Sequence, residues 1–432
     1  MTTVLDPATG PGFDPAADPE RTGRKGASQA VRGHISGMPR QFWYLWWGQL
    51  VNKTGGVVQP FLSIYLTVHL SKSVSQAGLF LTLLGIGGLA SQLIGGVLSD
   101  RYGRRFVLIG GMVAASISLM ALGFARSDLT LALFCLAVGV TNDLYRPASS
   151  AALADIIPPS QRVRAYGLMF WAINLGFAIA TILGGAIASH TYQGLFVFDS
   201  LTCLAYGVIL WRGFPETQSS TARALSRQAS GRFDFLIAFR DRQMAILIGL
   251  IIASSTVYMQ AYLTLPIVMT RHGLGPQVYG AVAAVNGVLI VLLQPVVVTR
   301  TAHLPRISIL VTSEILMGFG FGATRLCGSS AWGYAASVAI WTVGEVIQAG
   351  LFVAIVSDLA PPHLRGRYMG AFGFSFGVAA AVAPLLGSQV LDHGGQTALW
   401  LGCLNVSLLV AGGLALLEPR LRARGAAGPA RT

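Results

Sequence analysis

Charge is scarce in this chain of 432 residues: only 11% of positions are Asp, Glu, Lys or Arg, while 53% are apolar. A soluble domain carries about 25% charged residues, so a water-facing globule is excluded and a membrane protein is indicated. Acidic residues number 17 against 30 basic ones, and lysine occurs only at Lys25, Lys53 and Lys72. Cys135, Cys203, Cys327 and Cys403 each stand alone within an apolar run. That excludes a disulfide framework or a CxxC metal site and leaves them as small core residues. The 7 histidines show no ligand spacing, which argues against zinc or haem. No Gly-x-x-x-x-Gly-Lys-Ser/Thr loop is present, so ATP is not expected to drive the protein. Gly318-Phe-Gly320-Phe-Gly322 superficially echoes a nucleotide loop, but it lies inside an apolar run with no strand before it and reads as helix packing. Neither a His-Glu-x-x-His nor a Ser/Lys constellation occurs, so an enzyme is not expected, nor is any cofactor.

What is present is long apolar runs. Residues 1–41 are rich in Pro, Gly, Asp and Ala without an apolar h-region, and are expected to form a disordered cytoplasmic tail. Apolar stretches then recur at 42–68, 77–98, 105–125, 129–155, 164–188, 194–212, 243–269, 277–299, 306–325, 331–357, 367–390 and 397–417. Each is about 20 residues or more, the length a helix needs to cross the hydrocarbon core. Placing the N-terminus inside puts 24 basic residues on the inner side and leaves Lys72, Arg126, Arg271 and Arg325 outside. By the positive-inside rule both termini are expected to be cytoplasmic. The net charge of +13 is then a topology signal rather than a nucleic-acid surface. Residues 213–242 read as a cytoplasmic linker. Its second part, from Phe233, is compatible with either an amphipathic surface helix or a solvated segment. Residues 419–432 read as a second tail.

One element occurs twice. Asp155, Pro158, Pro159, Arg162, Arg164 and Gly167 match Asp358, Pro361, Pro362, Arg365, Arg367 and Gly370 at a constant offset of 203 residues. Further on, Ala180 and Gly184 fall on Ala383 and Gly387 at the same offset. A repeat of half the chain, in the same orientation, predicts two structurally equivalent halves, 42–212 and 243–418. In an apolar chain this is the organisation of two-halved secondary transporters.

Between the second and third runs stands Gly95-Gly96-Val-Leu-Ser99-Asp100-Arg101-Tyr-Gly103-Arg104-Arg105. It resembles the signature Gly-x-Leu-Ala-Asp-Arg-x-Gly-Arg-Arg/Lys of the major facilitator superfamily, departing at Ser99. The resemblance implies an all-α membrane protein of twelve transmembrane helices in two six-helix bundles related by a parallel pseudo-repeat. Gly96 is expected to let helices approach closely, and Asp100, Arg101, Gly103, Arg104 and Arg105 to form an inner gate. The corresponding loop of the second half, Thr299 to Arg306, lacks the Asp, which predicts an asymmetric gate. Gly176-Phe-Ala-Ile-Ala180-Thr181-Ile-Leu-Gly184-Gly185 is similar to the family's antiporter motif, with Ala180-Thr181 in place of Gly-Pro. Close helix packing alone also explains these glycines. Stretches around Gly48-Gln-Leu-Val-Asn52-Lys53, Asp143 to Ala148, Gly344-Glu345 and Leu359 to Gly370 resemble the proton-coupled multidrug-efflux branch.

Ionisable residues inside the spans are costly and usually functional. Asp143 and Arg146 share a helix face and read equally as a structural ion pair. Asp199 and Glu314 read as structural. Glu345 has no charged neighbour within seven residues, and with Asp143 it is the expected proton-coupling residue, since a low-dielectric cavity disfavours its charged form. Asn52, Lys53, Arg146, Asn174, Tyr258, Tyr262, Asn286, Trp341 and Gln348 are the expected cavity wall, together with Gln49, Gln59, Tyr65, Trp171, Gln260 and Gln294. Aromatics and amides with few charges suit an amphipathic or cationic organic molecule. The reading is export of a drug-like compound against inward proton flow, by a monomer in the inner (plasma) membrane. Proton-coupled uptake of a small metabolite and a non-transporting membrane sensor are the alternatives.

Overall fold

Polar breaks in the sequence become helix starts. The Ser73 hydroxyl accepts from the Gln76 amide while the Gln76 side chain returns the bond, a complete capping box. Ser127 and Ser330 accept from the amides of Thr130 and Gly333, and Asp241 accepts from those of Gln243 and Met244. Each cap opens one of the long apolar helices of the computed structural model, which describes residues 37–158, 161–217, 238–301, 303–361 and 364–426. Most of the expected linker and both tail ends lie outside these residues, as do Pro159, Pro362 and His363.

The described chain is helical, with no strand. The first half comprises α1 (Arg40–Gly55), α2 (Val58–Ile64), α3 (Val74–Tyr102), α4 (Arg104–Phe124), α5 (Asp128–Asn142), α6 (Tyr145–Ile156), α7 (Arg162–Ala188) and α8 (Tyr192–Gly213). The second comprises α9 (Arg242–Leu263), α10 (Leu265–Arg271), α11 (Pro276–Thr301), α12 (Arg306–Ala323), α13 (Ala331–Gln348), α14 (Leu351–Leu359), α15 (Arg365–His393) and α16 (Gly395–Ala426). The last helix continues through Pro419, into the stretch expected as a tail. Among the described residues, 11 helical stretches are long and apolar enough to cross a membrane. The run expected at 42–68 is not among them; α1 ends at Gly55, α2 begins at Val58, and a π-turn follows at Tyr65–His69.

Three other expected spans are interrupted in the same way. Asp143-Leu144 separates α5 from α6, and Thr264 separates α9 from α10, where Pro266 removes an amide from the first turn. Ala349-Gly350 separates α13 from α14, and Gly350 sits at φ 79°. Interrupted helices leave backbone groups that other parts of the protein must satisfy. At the first break this falls to Asp199 on α8, whose Oδ2 accepts from the Val58 amide at 3.1 Å. The carboxylate read as structural therefore satisfies the first amide of a helix 141 residues away in sequence.

Packing defines two unlike ends. One buried cluster draws on both halves, from Val57, Phe61 and Tyr65 through Leu265, Tyr279, Trp341 and Trp400. At the other end each half has its own core. Phe42, Leu108, Tyr145 and Tyr206 belong to the first, and Met244, Leu310, Val356 and Tyr368 to the second. The halves thus share a core at one end and part at the end where α1 begins. The shared end closes through backbone approach. A Cβ on Gly85 would fall 2.2 Å from the Ala380 carbonyl oxygen, and one on Gly280 2.2 Å from that of Thr181. Ser75 donates to Asp392 at 2.5 Å and Gln277 to Ser189 at 2.8 Å across the same seam. Residues of the antiporter-like motif and its counterpart thus form the closed seam, through the carbonyls of Thr181 and Pro384 and the Cα of Gly185.

Candidate functional site: a polar and aromatic group around Glu345

In the second half several of the expected wall residues form one connected group. The Asn286 amide on α11 donates to Glu345 Oε2 at 2.7 Å and to Thr342 Oγ1 at 3.1 Å. On α9, Tyr258 and Tyr262 lie four residues apart on one face, with their hydroxyls 2.8 Å apart. The Tyr258 hydroxyl lies beside the Glu345 carboxyl. Trp341, one turn before Glu345 on α13, meets Tyr258 edge-on at 5.8 Å and stacks on Phe321 at 5.3 Å. Asn286 and Trp341 are buried, whereas Glu345, Tyr258 and Tyr262 keep partial access. Glu345 is therefore a carboxyl held by side-chain donors on a partly open, aromatic wall. Such a group can take and release a proton without rebuilding the fold. Gln348 turns aside, its amide 3.0 Å from Met317 Sδ.

The first half supplies the cations. Lys53 Nζ lies over the Tyr145 ring at 5.9 Å, and among the described residues no carboxylate stands within 4.0 Å of it. Asp143, at the break between α5 and α6, lies 3.5 Å from Arg146 Nη1, with side-chain exposures of 29% and 52%. Because both groups are reachable, the pair can exchange partners instead of forming a sealed ion pair. Phe177 on α7 meets Tyr262 edge-on at 5.7 Å. It joins the two halves here, and it fills an unspecified position of the antiporter-like motif, which is why the motif did not point to it.

Several expected wall residues have other work. Asn52 is buried, with its amide 3.3 Å from Cys203 Sγ and 3.7 Å from Met112 Sδ, so it faces α4 and α8. Asn174 bonds the Phe170 carbonyl one turn back at 2.9 Å, and its own carbonyl meets Gly287 at the seam. Gln49 donates to the Tyr145 hydroxyl and Gln260 to the Ala383 carbonyl, while Tyr65 is buried against Arg126. Gln59 and Trp171 are exposed, and Gln294 is partly exposed.

The loop signature between α3 and α4 forms a network inside the first half. Arg104 pairs with Asp100, donates to Ser99 Oγ at 2.9 Å and lies 3.6 Å from Asp155. Glu216, beyond α8, accepts from the backbone amides of Arg104 and Arg105 at 3.0 and 3.2 Å. It caps the N-terminus of α4, where a carboxylate is favoured. Arg105 donates to the Trp211 carbonyl at 2.7 Å. Gly103 joins the two helices at φ 102°, a conformation that side chains resist. The expectation for Gly96 needs correction. A Cβ there meets nothing within 4 Å, and the close approach belongs to Gly95, whose Cβ would lie 2.8 Å from the Leu144 carbonyl oxygen. The helix is simply rotated by one residue from the expected facing. The second half lacks the aspartate at the position of Asp100, yet Arg306 pairs with Asp358. Arg104 and Asp155 form the matching pair one half earlier, so the Asp of the repeated element serves the same purpose twice. The repeated Arg162 donates to the Ala154 carbonyl at 2.7 Å and to that of Ile157 at 3.2 Å, closing the end of α6.

Eleven helical stretches long and apolar enough to cross a membrane, among the described residues, mark a multi-pass membrane protein. The chain belongs to the Major Facilitator Superfamily, whose family model matches residues 46–384 and, in a second match, 279–430. It is 28% identical over 389 residues to the uncharacterized MFS-type transporter YttB of Bacillus subtilis, covering 89% of this chain and 97% of that one. It is 24% identical to a Na(+), Li(+), K(+)/H(+) antiporter of Planococcus maritimus, covering 78% and 85%. It is 22% identical to the multidrug resistance protein MdtH of Escherichia coli, covering 78% and 83%. Among solved structures, peptide transporter POT in complex with sulfate superposes with a TM-score of 0.74 at 15% identity, over 89% of this chain and 95% of that one. That likeness is one of fold.

Proposed function

We propose that this chain is a proton-coupled antiporter that expels amphipathic organic cations across the plasma membrane. In this reading the divided run at 42–68 is the twelfth span. The two halves are six-helix bundles related by a parallel pseudo-repeat, and both termini are cytoplasmic. The cavity then opens inward, and the bundles rock about it. The observation that carries the reading is Glu345, held by Asn286 and faced by Tyr258 and Tyr262. A protonated Glu345 is neutral and leaves the aromatic wall without a counter-ion. An ionised Glu345 offers that wall a charge for a cation. Proton and cation therefore compete for one site, which couples their movements in opposite directions. Lys53 and Arg146 on the opposite half would repel a cation and favour its release.

A second reading has an observation of its own. The similarity to the Planococcus maritimus antiporter favours an inorganic monovalent cation as cargo, held by the same carboxyl. Proteoliposomes carrying an imposed pH gradient test both readings, with ethidium and sodium as separate probes. Export driven by inward proton flow supports antiport, and the probe that moves names the cargo class. Co-directional movement points to a symporter, and no flux of either probe points to a sensor. Reporter fusions at each terminus test the orientation.

A further inference from the structure

Away from the central cavity, the first half carries a cleft of about 540 Å³ at the end where the halves part. Arg40 at the start of α1, Arg105 at the start of α4 and Arg212 at the end of α8 line it, with Tyr44 and Trp211 as apolar walls. All of its lining comes from one half, so the cleft persists whichever way the bundles rock.

The three arginines are held in different ways. Arg105 is fixed by its bond to the Trp211 carbonyl and has a buried Nε without a partner. Arg40 donates to the Tyr44 hydroxyl at 2.9 Å and lies over the Tyr44 ring at 5.6 Å. Arg212 is exposed, and among the described residues no carboxylate lies within 4.0 Å of it. Glu216 is the acid beside them, and its oxygens accept from the amides that begin α4. Three guanidinium groups against one capped carboxylate leave the cleft net positive.

Its surroundings point to the class of anion. Trp47, Trp211 and Phe106 are 54%, 61% and 65% exposed on the same three helices, and Tyr102 is 49% exposed nearby. Exposed tryptophan and tyrosine gather at the level of lipid headgroups, and arginine presents a planar fork that matches phosphate oxygens. We infer that the cleft binds the phosphate of an anionic phospholipid, with Arg40 and Arg212 as its movable arms and the acyl chains lying along Trp47 and Phe106. A soluble phosphate would have no use for the apolar rim. The inference is independent of the transported cargo.

Native mass spectrometry of the full-length protein in detergent tests it, with phosphatidylglycerol and phosphatidylcholine titrated separately. Arg212→Gln and Arg40→Gln should each lower the preference for phosphatidylglycerol by about fivefold, the effect of one basic residue at an anionic surface. Arg300→Gln removes one exposed charge outside the cleft and should leave the preference unchanged. Equal elution and equal melting in phosphatidylcholine keep misfolding out of the comparison. The inference is overturned if Arg300→Gln acts as strongly as Arg212→Gln, because attraction is then diffuse. It is overturned also if neither cleft variant changes the preference, or if glycerol phosphate competes as well as the intact lipid.

Discussion

Replacing Gly280 by Ala strikes the seam where the halves share a core. The added Cβ would fall 2.2 Å from the Thr181 carbonyl oxygen, a backbone atom within helix α7. That is roughly 1 Å or more inside ordinary van der Waals contact, and no side-chain rotation can relieve it. The two helices must separate whenever this end is closed. Overpacking of this kind costs about 1–3 kcal/mol, while a state in which the seam has opened carries none of it. The closed form should therefore lose ground by about 5- to 150-fold relative to the open one. A cysteine pair replacing Ser75 and Asp392, whose side chains meet across the seam at 2.5 Å, reports the change by its oxidative cross-linking rate. The four native cysteines are buried and give a low background. Gly110→Ala is the control, since a Cβ there meets nothing within 4 Å. The Gly280→Ala protein should cross-link more slowly and label faster with a water-soluble maleimide. Cross-linking as fast as in the Gly110→Ala control would refute the assignment of this seam as the closed gate.

Asp100→Asn should leave membrane insertion and melting nearly unchanged, because Asp100 is half-exposed and Arg104 keeps Ser99 and Asp155; transport should nonetheless fall sharply, and wild-type turnover in liposomes would remove Asp100 from the gate. Asp143→Asn takes the carboxylate from Arg146 and should lower the melting temperature slightly, by about 1 kcal/mol or less of stability, while pH-driven transport survives; loss of coupling would transfer the proton site to Asp143. Glu314 is fully buried, accepts from Ser254 at 2.6 Å and has an unpartnered Oε2. Glu314→Gln keeps an acceptor for Ser254 and removes any need to hold a charge there, so melting should be unchanged or higher with coupling intact.

Much of the architecture was legible because it depends on local pattern. Apolar run length located the spans, and the loop signature placed Asp100 and the arginines after it in one short turn. The repeated Asp-Pro-Pro-Arg element marked the turns where Asp155 and Asp358 take their arginines. Partners brought in from afar were not legible. Asp199 meeting the first amide of α2 and Glu216 capping α4 are contacts over more than 100 residues, set by how helices pack. Facing was the other weak point. Adjacent positions on a helix differ by about 100°, which is the difference between Gly95 and Gly96, or between Asn52 and Lys53. Without the neighbours, periodicity in a chain that is apolar all round does not choose between them. Gln49, Asn52 and Gln260 look like cavity residues in sequence, and each bonds a neighbouring helix instead.

Glu345→Gln in proteoliposomes tests the central claim most directly. The amide can still occupy the place beside Asn286 and Tyr258, but it can neither bind nor release a proton. With ethidium as probe, the wild-type protein should export against a gradient when protons flow inward, and pyranine should register the proton movement. The Glu345→Gln protein should still let ethidium run downhill, without accumulation and without proton movement. Uphill export by Glu345→Gln with an unchanged pH profile would contradict the account.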